Sequence, residues 1–188
     1  MVKEKDNLEK YKVTVPKQFA SYVKTQIMFF VIAAFIGSYM VLGLDNWLQK
    51  VACGVLIFCQ FMILYASAYE IANHDIKSFS TLKPYNWKGF AFSGFVVGIS
   101  IILFIVYKIV WMTGTLDNWG QVIGNILFLI WYLPYYCLVR PNCGAVNILG
   151  VVTAILVPVI ASGIGYYAGK NQFDLSVVMK KYIYEKKK

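Results

Sequence analysis

Charge is scarce in this chain: 14% of its 188 residues are charged, against 59% hydrophobic and 17% aromatic. That balance excludes an ordinary soluble domain, which would have to hide more apolar surface than it can. Histidine occurs once, at His74, which excludes a His-rich metal or haem cluster. A Gly-x-Ser-x-Gly elbow and a phosphate-binding Gly-Lys-Ser/Thr loop are also missing, which argues against a protease and an ATPase. Asp45 and Asp117 share a face if the repeat described below holds, but a helix-capping role accounts for both without paired-acid hydrolysis. The four cysteines, Cys53, Cys59, Cys137 and Cys143, lack C-x-x-C spacing, and three lie in apolar runs, the pattern of buried, reduced thiols. The sequence therefore calls for no catalytic residue, no metal and no cofactor.

What is present is a succession of uncharged runs, at 27–44, 51–69, 89–107, 118–139 and 141–169. Each approaches or exceeds the roughly 18 residues that a hydrocarbon core of about 30 Å demands of a helix. The expected fold is all-α: a polytopic transmembrane bundle of five hydrophobic segments, at about 19–43, 46–72, 89–113, 118–139 and 146–167. A polar leader, 1–18, precedes the bundle (19–169), and a basic amphipathic tail, 170–188, follows it. The first apolar run is too long for a secretory core and follows a polar stretch, so the first helix is expected to remain in the mature protein. In the tail, Leu175, Val178, Met179 and Tyr182 fall on one helical face, with Lys180, Lys181 and Lys186 to Lys188 supplying charge. This suits either a helix on an anionic bilayer surface or a solvated end. The basic termini point to anionic lipid as a partner, and no nucleic acid is expected.

A hexapeptide organises the middle of the chain. Leu44-Asp45-Asn46-Trp47-Leu48-Gln49 returns as Leu116-Asp117-Asn118-Trp119-Gly120-Gln121, each time in a short polar break between apolar runs. Asn with Gln three residues on can cap the returning helix, so the repeat predicts two related hairpins followed by a Pro-broken fifth segment containing Pro158. Pro134 removes a backbone donor from the fourth segment and should kink it. Gly94 with Gly98, and Gly120 with Gly124, recur at the four-residue spacing that lets helix backbones approach, within the bundle, with other membrane subunits or in self-association.

Orientation brings a conflict. With the N-terminus inside, the leader, the 73–88 loop and Arg140 fall inside, and the outer turns offer only Lys50, as the positive-inside rule prefers. Five full crossings then place the basic tail outside, against the same rule. Either the tail is an exception, or one of the last two segments enters and returns on one side.

Candidate sites are few. Lys108 is the one charge well inside an apolar run, and it either snorkels to the headgroups or lines a path for an anion. Trp131 and Tyr132, beside Pro134, either fill the bundle or wall a small pocket for an amphipathic ligand. Glu70, His74 and Asp75 form a weak polar cluster at the end of the second segment, short of the ligands a divalent metal needs.

The segment Gly163-Ile164-Gly165-Tyr166-Tyr167-Ala168-Gly169-Lys170, with Ser176, Lys180, Tyr182, Tyr184 and the closing lysines, resembles the ending of small uncharacterised multi-pass membrane proteins of Gram-positive bacteria. The loop from His74-Asp75 to Lys88-Gly89 is similar to the same group, and together these motifs cover about a third of the chain. The resemblance implies a bacterial cytoplasmic membrane and brings no activity, substrate or site residue. The function expected is a non-enzymatic subunit or accessory protein of a transport or cell-envelope complex. The alternative is a small oligomeric permease or ligand-binding membrane protein with its site at the hairpin-repeat interface.

Overall fold

The computed structural model describes residues 14–43, 46–77, 82–113, 126–140 and 146–173. Its helices are α1 (Val15–Gly43), α2 (Asn46–Ile76), α3 (Lys88–Thr113), the shorter α4 (Ile126–Val139) and α5 (Ile148–Lys170), and the described residues contain no strand. α1, α2, α3 and α5 are each long and apolar enough to cross a bilayer. Phe35, Phe58, Ile102 and Leu149 are among the large apolar side chains that turn outward, each at least 60% exposed. Four such helices with apolar outer faces make the chain a multi-pass all-α membrane protein.

Helix starts follow local chemistry. α1 begins at Val15, inside the expected 1–18 leader, because Pro16 falls in the first turn, where a missing N–H breaks no helical bond. Its buried stripe runs Gln18, Tyr22, Gln26, Phe29, Ala33 and Gly37, a helical period that is polar in its first half and apolar in its second. α2 answers with Cys53, Leu56, Gln60, Leu64, Ala68 and Asp75, and α1 packs beside it as the short connection requires. The rest of the leader, the tail beyond Phe173 and the whole second copy of the hexapeptide lie outside the described residues, so the relation between the two hairpins does too.

α5 is the centre of the bundle, packed most extensively on α2 and next on α3. Glycine makes that possible: a Cβ on Gly165 would press into the Tyr65 carbonyl oxygen, and one on Gly169 would stand 2.5 Å from that of Tyr69. On the α3 side, Gly89 faces the Ser162 carbonyl in the same way. Backbone-to-backbone approach at these points replaces the hydrophobic drive that lipid cannot supply. Asn147 caps the start of α5 by accepting from the Leu149 N–H at 3.0 Å. Its end closes with Gln172 at φ 53° and the Phe173 N–H bonded to the Ala168 carbonyl at 2.9 Å.

One expectation is corrected: Pro158 does not break the last segment, because it is buried within one uninterrupted helix packed against α2 and α3. The fourth segment, expected to cross at 118–139, is described only from Ile126, and its described part enters the bundle and turns back toward the same end. Contacts fix this topology. Gln18, Asp75, Lys88 and Tyr166 meet at one end of the bundle, so α1 and α3 start there while α2 and α5 finish there. α3 must therefore leave toward the opposite end, and α5 must begin at it.

α4 lies between those two points. Phe128 stacks on Tyr107 at 4.2 Å, and Trp131 and Tyr132 reach Ser100, about 10 Å deeper along α3 at ~1.5 Å per residue. Leu133–Tyr135 then forms a 3-10 turn at Pro134, and Tyr136–Val139 runs back. On this return limb the Cys137 sulfur lies 3.1 Å from that of Cys53, the Leu138 carbonyl lies under Gly150, and the Val139 carbonyl accepts from the Asn147 N–H at 2.7 Å. Such a turn survives at membrane depth because protein covers it: Leu133, Pro134 and Tyr135 are all buried.

Candidate functional site

Asp75, in the last turn of α2, and Lys88, the first residue of α3, form an ion pair at 2.6 Å with side chains 0% and 1% exposed. Both charges occupy the unfavourable end of their own helix, since the macrodipole is negative at a C-terminus and positive at an N-terminus. Each therefore depends on the other. The carboxylate takes three donors: Gln18 Nε2 on Oδ1 at 2.7 Å, and on Oδ2 Lys88 Nζ together with the Tyr166 hydroxyl at 2.8 Å. Four helices thus converge on one carboxylate. The Lys88 ammonium also lies 6.0 Å from the centres of the Tyr85 and Phe92 rings, whose faces suit a desolvated cation.

A second polar layer lies one turn deeper. The Tyr22 hydroxyl and Ser162 Oγ share a 2.6 Å hydrogen bond, with the Tyr22 ring stacked on Phe92 at 5.9 Å. Further along α1, both amide atoms of buried Gln26 lack a hydrogen-bond partner among the described residues, as does Oε1 of buried Gln60 on α2. At the mouth, between the start of α1 and the end of α2, opens a cavity of about 810 Å³ with Lys17, Ser21, Tyr65, Tyr69, Glu70 and His74 in its wall.

Set against the sequence-derived candidates, the geometry separates some and joins others. Glu70 and His74 face the cavity while Asp75 turns into the bundle, so the three do not converge, and no group of three His, Cys, Asp or Glu able to hold a metal occurs among the described residues. Trp131, Tyr132 and Pro134 do come together. Trp131 stacks on Phe30 at 4.2 Å, donates to Ser100 Oγ at 2.9 Å and touches each of the three apolar clusters, while the Tyr132 hydroxyl donates to the Ser100 carbonyl at 2.8 Å. Lys108 is not part of that group: it is exposed on α3, its ammonium 6.0 Å from the Phe104 ring.

Gln18, Lys88 and Tyr166 were not legible as partners of Asp75. The available signals were opposite charges flanking one loop, and the four-residue period of Gln18, Tyr22 and Gln26 on an otherwise apolar helix. Comparison of the chain with protein-family models, curated proteins and solved structures found no match. Its class rests on the molecule itself: a multi-pass helical membrane protein whose long helices are tied at one end by a buried ion pair whose carboxylate takes three donors.

Proposed function

We propose that the chain is a non-enzymatic integral protein of a bacterial cytoplasmic membrane, working as a subunit or accessory protein of a transport or cell-envelope complex. The observation that carries this reading is a contrast among glycines. Gly37, Gly89, Gly150, Gly163, Gly165 and Gly169 each press on a neighbour, whereas Gly94 and Gly98, one turn apart on α3, have no heavy atom of the described residues within 4 Å of where a Cβ would stand. A small-residue step left open on a lipid-facing helix is a surface on which another helix can pack closely. The N-terminus is cytoplasmic in this reading. With four crossings and a re-entrant α4, the basic leader, the 77–88 connection and the Lys170 end share one side, as the positive-inside rule favours.

The test is co-purification of the tagged chain from its native membrane in mild detergent, beside a Gly94→Leu/Gly98→Leu variant. A stoichiometric membrane partner lost in the variant is the expected result; retention of the same partner by the variant removes α3 from the interface. The permease or ligand-binding alternative draws on the Gln26 amide and the Gln60 Oε1, unpartnered among the described residues, which offer hydrogen bonds deep in an apolar bundle. A lone oligomer that carries a small polar molecule, released by Gln26→Leu, would favour it instead.

A further inference from the structure

Cys53 and Cys137 are 84 residues apart in sequence, yet their sulfurs stand 3.1 Å apart. A disulfide needs about 2.05 Å, so bonding asks the two atoms to approach by roughly 1 Å, through χ1 rotation and a slight shift of the return limb. Cys53 lies on the buried stripe of α2, about 33 Å from Asp75 at ~1.5 Å per residue, and so near the opposite end of the bundle. Cys137 lies in the Tyr136–Val139 helix on the return limb of α4 and is half-buried. Cys59, further along α2, is exposed on the outside of the bundle. Sequence spacing treats these thiols as unrelated, because only the turn at Pro134 brings the return limb of α4 back beside α2.

We infer that Cys53 and Cys137 are a redox pair that closes to a reversible disulfide, clasping the return limb of α4 to α2. The oxidant is a disulfide donor. The Cys137 thiolate, as the more accessible sulfur, attacks the donor's S–S bond to give a mixed disulfide and one released thiolate. Cys53 then loses its proton, attacks Cys137 Sγ and displaces the second thiolate. Two protons and two electrons leave the protein, and one donor disulfide becomes two thiols. The return limb is already held to α5 and α3, through the Asn147 N–H to Val139 carbonyl bond, the burial of Val139 with Val151 and Ala154, and an Arg140 Nη2 to Tyr107 hydroxyl bond of 2.7 Å; the disulfide would add a covalent tie to α2.

The pair itself does not depend on the proposed function; only the face from which it is reached rests on the N-inside orientation. Intact cells and inverted membrane vesicles carrying the full chain are treated with oxidised glutathione, then with N-ethylmaleimide before denaturation, and cross-linked peptides are identified by mass spectrometry. A Cys53–Cys137 peptide is expected from intact cells, absent in Cys53→Ser and in Cys137→Ser and retained in Cys59→Ser. The oxidised protein should melt higher than its dithiothreitol-reduced form by on the order of 5 °C or more. Linkage from inverted vesicles alone supports the pair and overturns the orientation. Alkylation of both thiols under every condition, linkage of Cys53 to Cys143 instead, or a link without a melting shift overturns the clasp.

Discussion

The two ends of the bundle are closed by different chemistry. At one, Asp75, Lys88, Gln18 and Tyr166 gather the ends of four helices around a single carboxylate with almost no exposed surface. At the other, Phe128, Tyr107, Trp131 and Tyr132 spread their contacts over α1, α3 and α4, and single hydrogen bonds to Ser100 fix the ring orientations. A buried ion pair depends on both partners, because removing one leaves an uncompensated charge in a poorly solvating interior. An aromatic cluster is graded, since each ring contributes separately and neighbours can resettle. The first end should therefore fail abruptly, and the second by increments.

The sharpest way to break this contrast is Lys88→Met. It should cost about 3–5 kcal/mol, read as a fall in thermal stability in detergent, because Asp75 is left buried without its counter-ion. The double variant Asp75→Leu/Lys88→Met should recover most of that loss; equal losses in single and double variants would mean that the pair does not organise this end. Next comes Gly165→Ala, expected to cost about 1–3 kcal/mol by overpacking, because its methyl would meet the Tyr65 carbonyl and push α5 from α2.

At the aromatic end, Ser100→Ala should cost about 1–2 kcal/mol by leaving the Trp131 indole N–H unpaired, while the Tyr132 bond to the Ser100 carbonyl survives. Tryptophan fluorescence should shift with it, whereas an unchanged spectrum and melting point would show that this bond is dispensable. The smallest effects belong to the outer surface. Gly94→Ala and Lys108→Met should each stay within about 0.5 kcal/mol of the parent, since one meets open space and the other holds an exposed charge. Lys108→Met is the discriminating substitution for a transport path: loss of a ligand-dependent flux in that variant would restore Lys108 as a pathway residue.

Much of the bundle was legible from residue pattern, and the exceptions have specific causes. The ends of the first three segments come within four residues of those expected, because length and apolarity alone set where a helix can cross. Pro134 and Pro158 look alike in sequence, each inside an apolar run. One turns the chain and the other rides in a continuous helix, because Pro158 lies on the packed face of α5 while the chain at Pro134 doubles back under cover of its neighbours. The glycines divided similarly: the four-residue step of Gly94 and Gly98 was noticed, yet it is the glycines of α5 that carry the internal packing.

The candidate site was less legible than the fold. Asp75 and Lys88 sit at the edges of a polar loop, where charges ordinarily face water, and nothing local shows that the loop folds both of them inward. Composition and apolar run length by themselves determined that this protein is a helical, multi-pass membrane protein, because hydrocarbon admits few backbone solutions and helix length is set by bilayer thickness. Only the tertiary structure decided that α4 returns to the end it came from, that Lys108 lies outside, and that Asp75 takes its three donors from three other helices. Those outcomes depend on which helix faces meet across the bundle, and a meeting between residues 18, 75, 88 and 166 leaves no mark in the local pattern of any one of them.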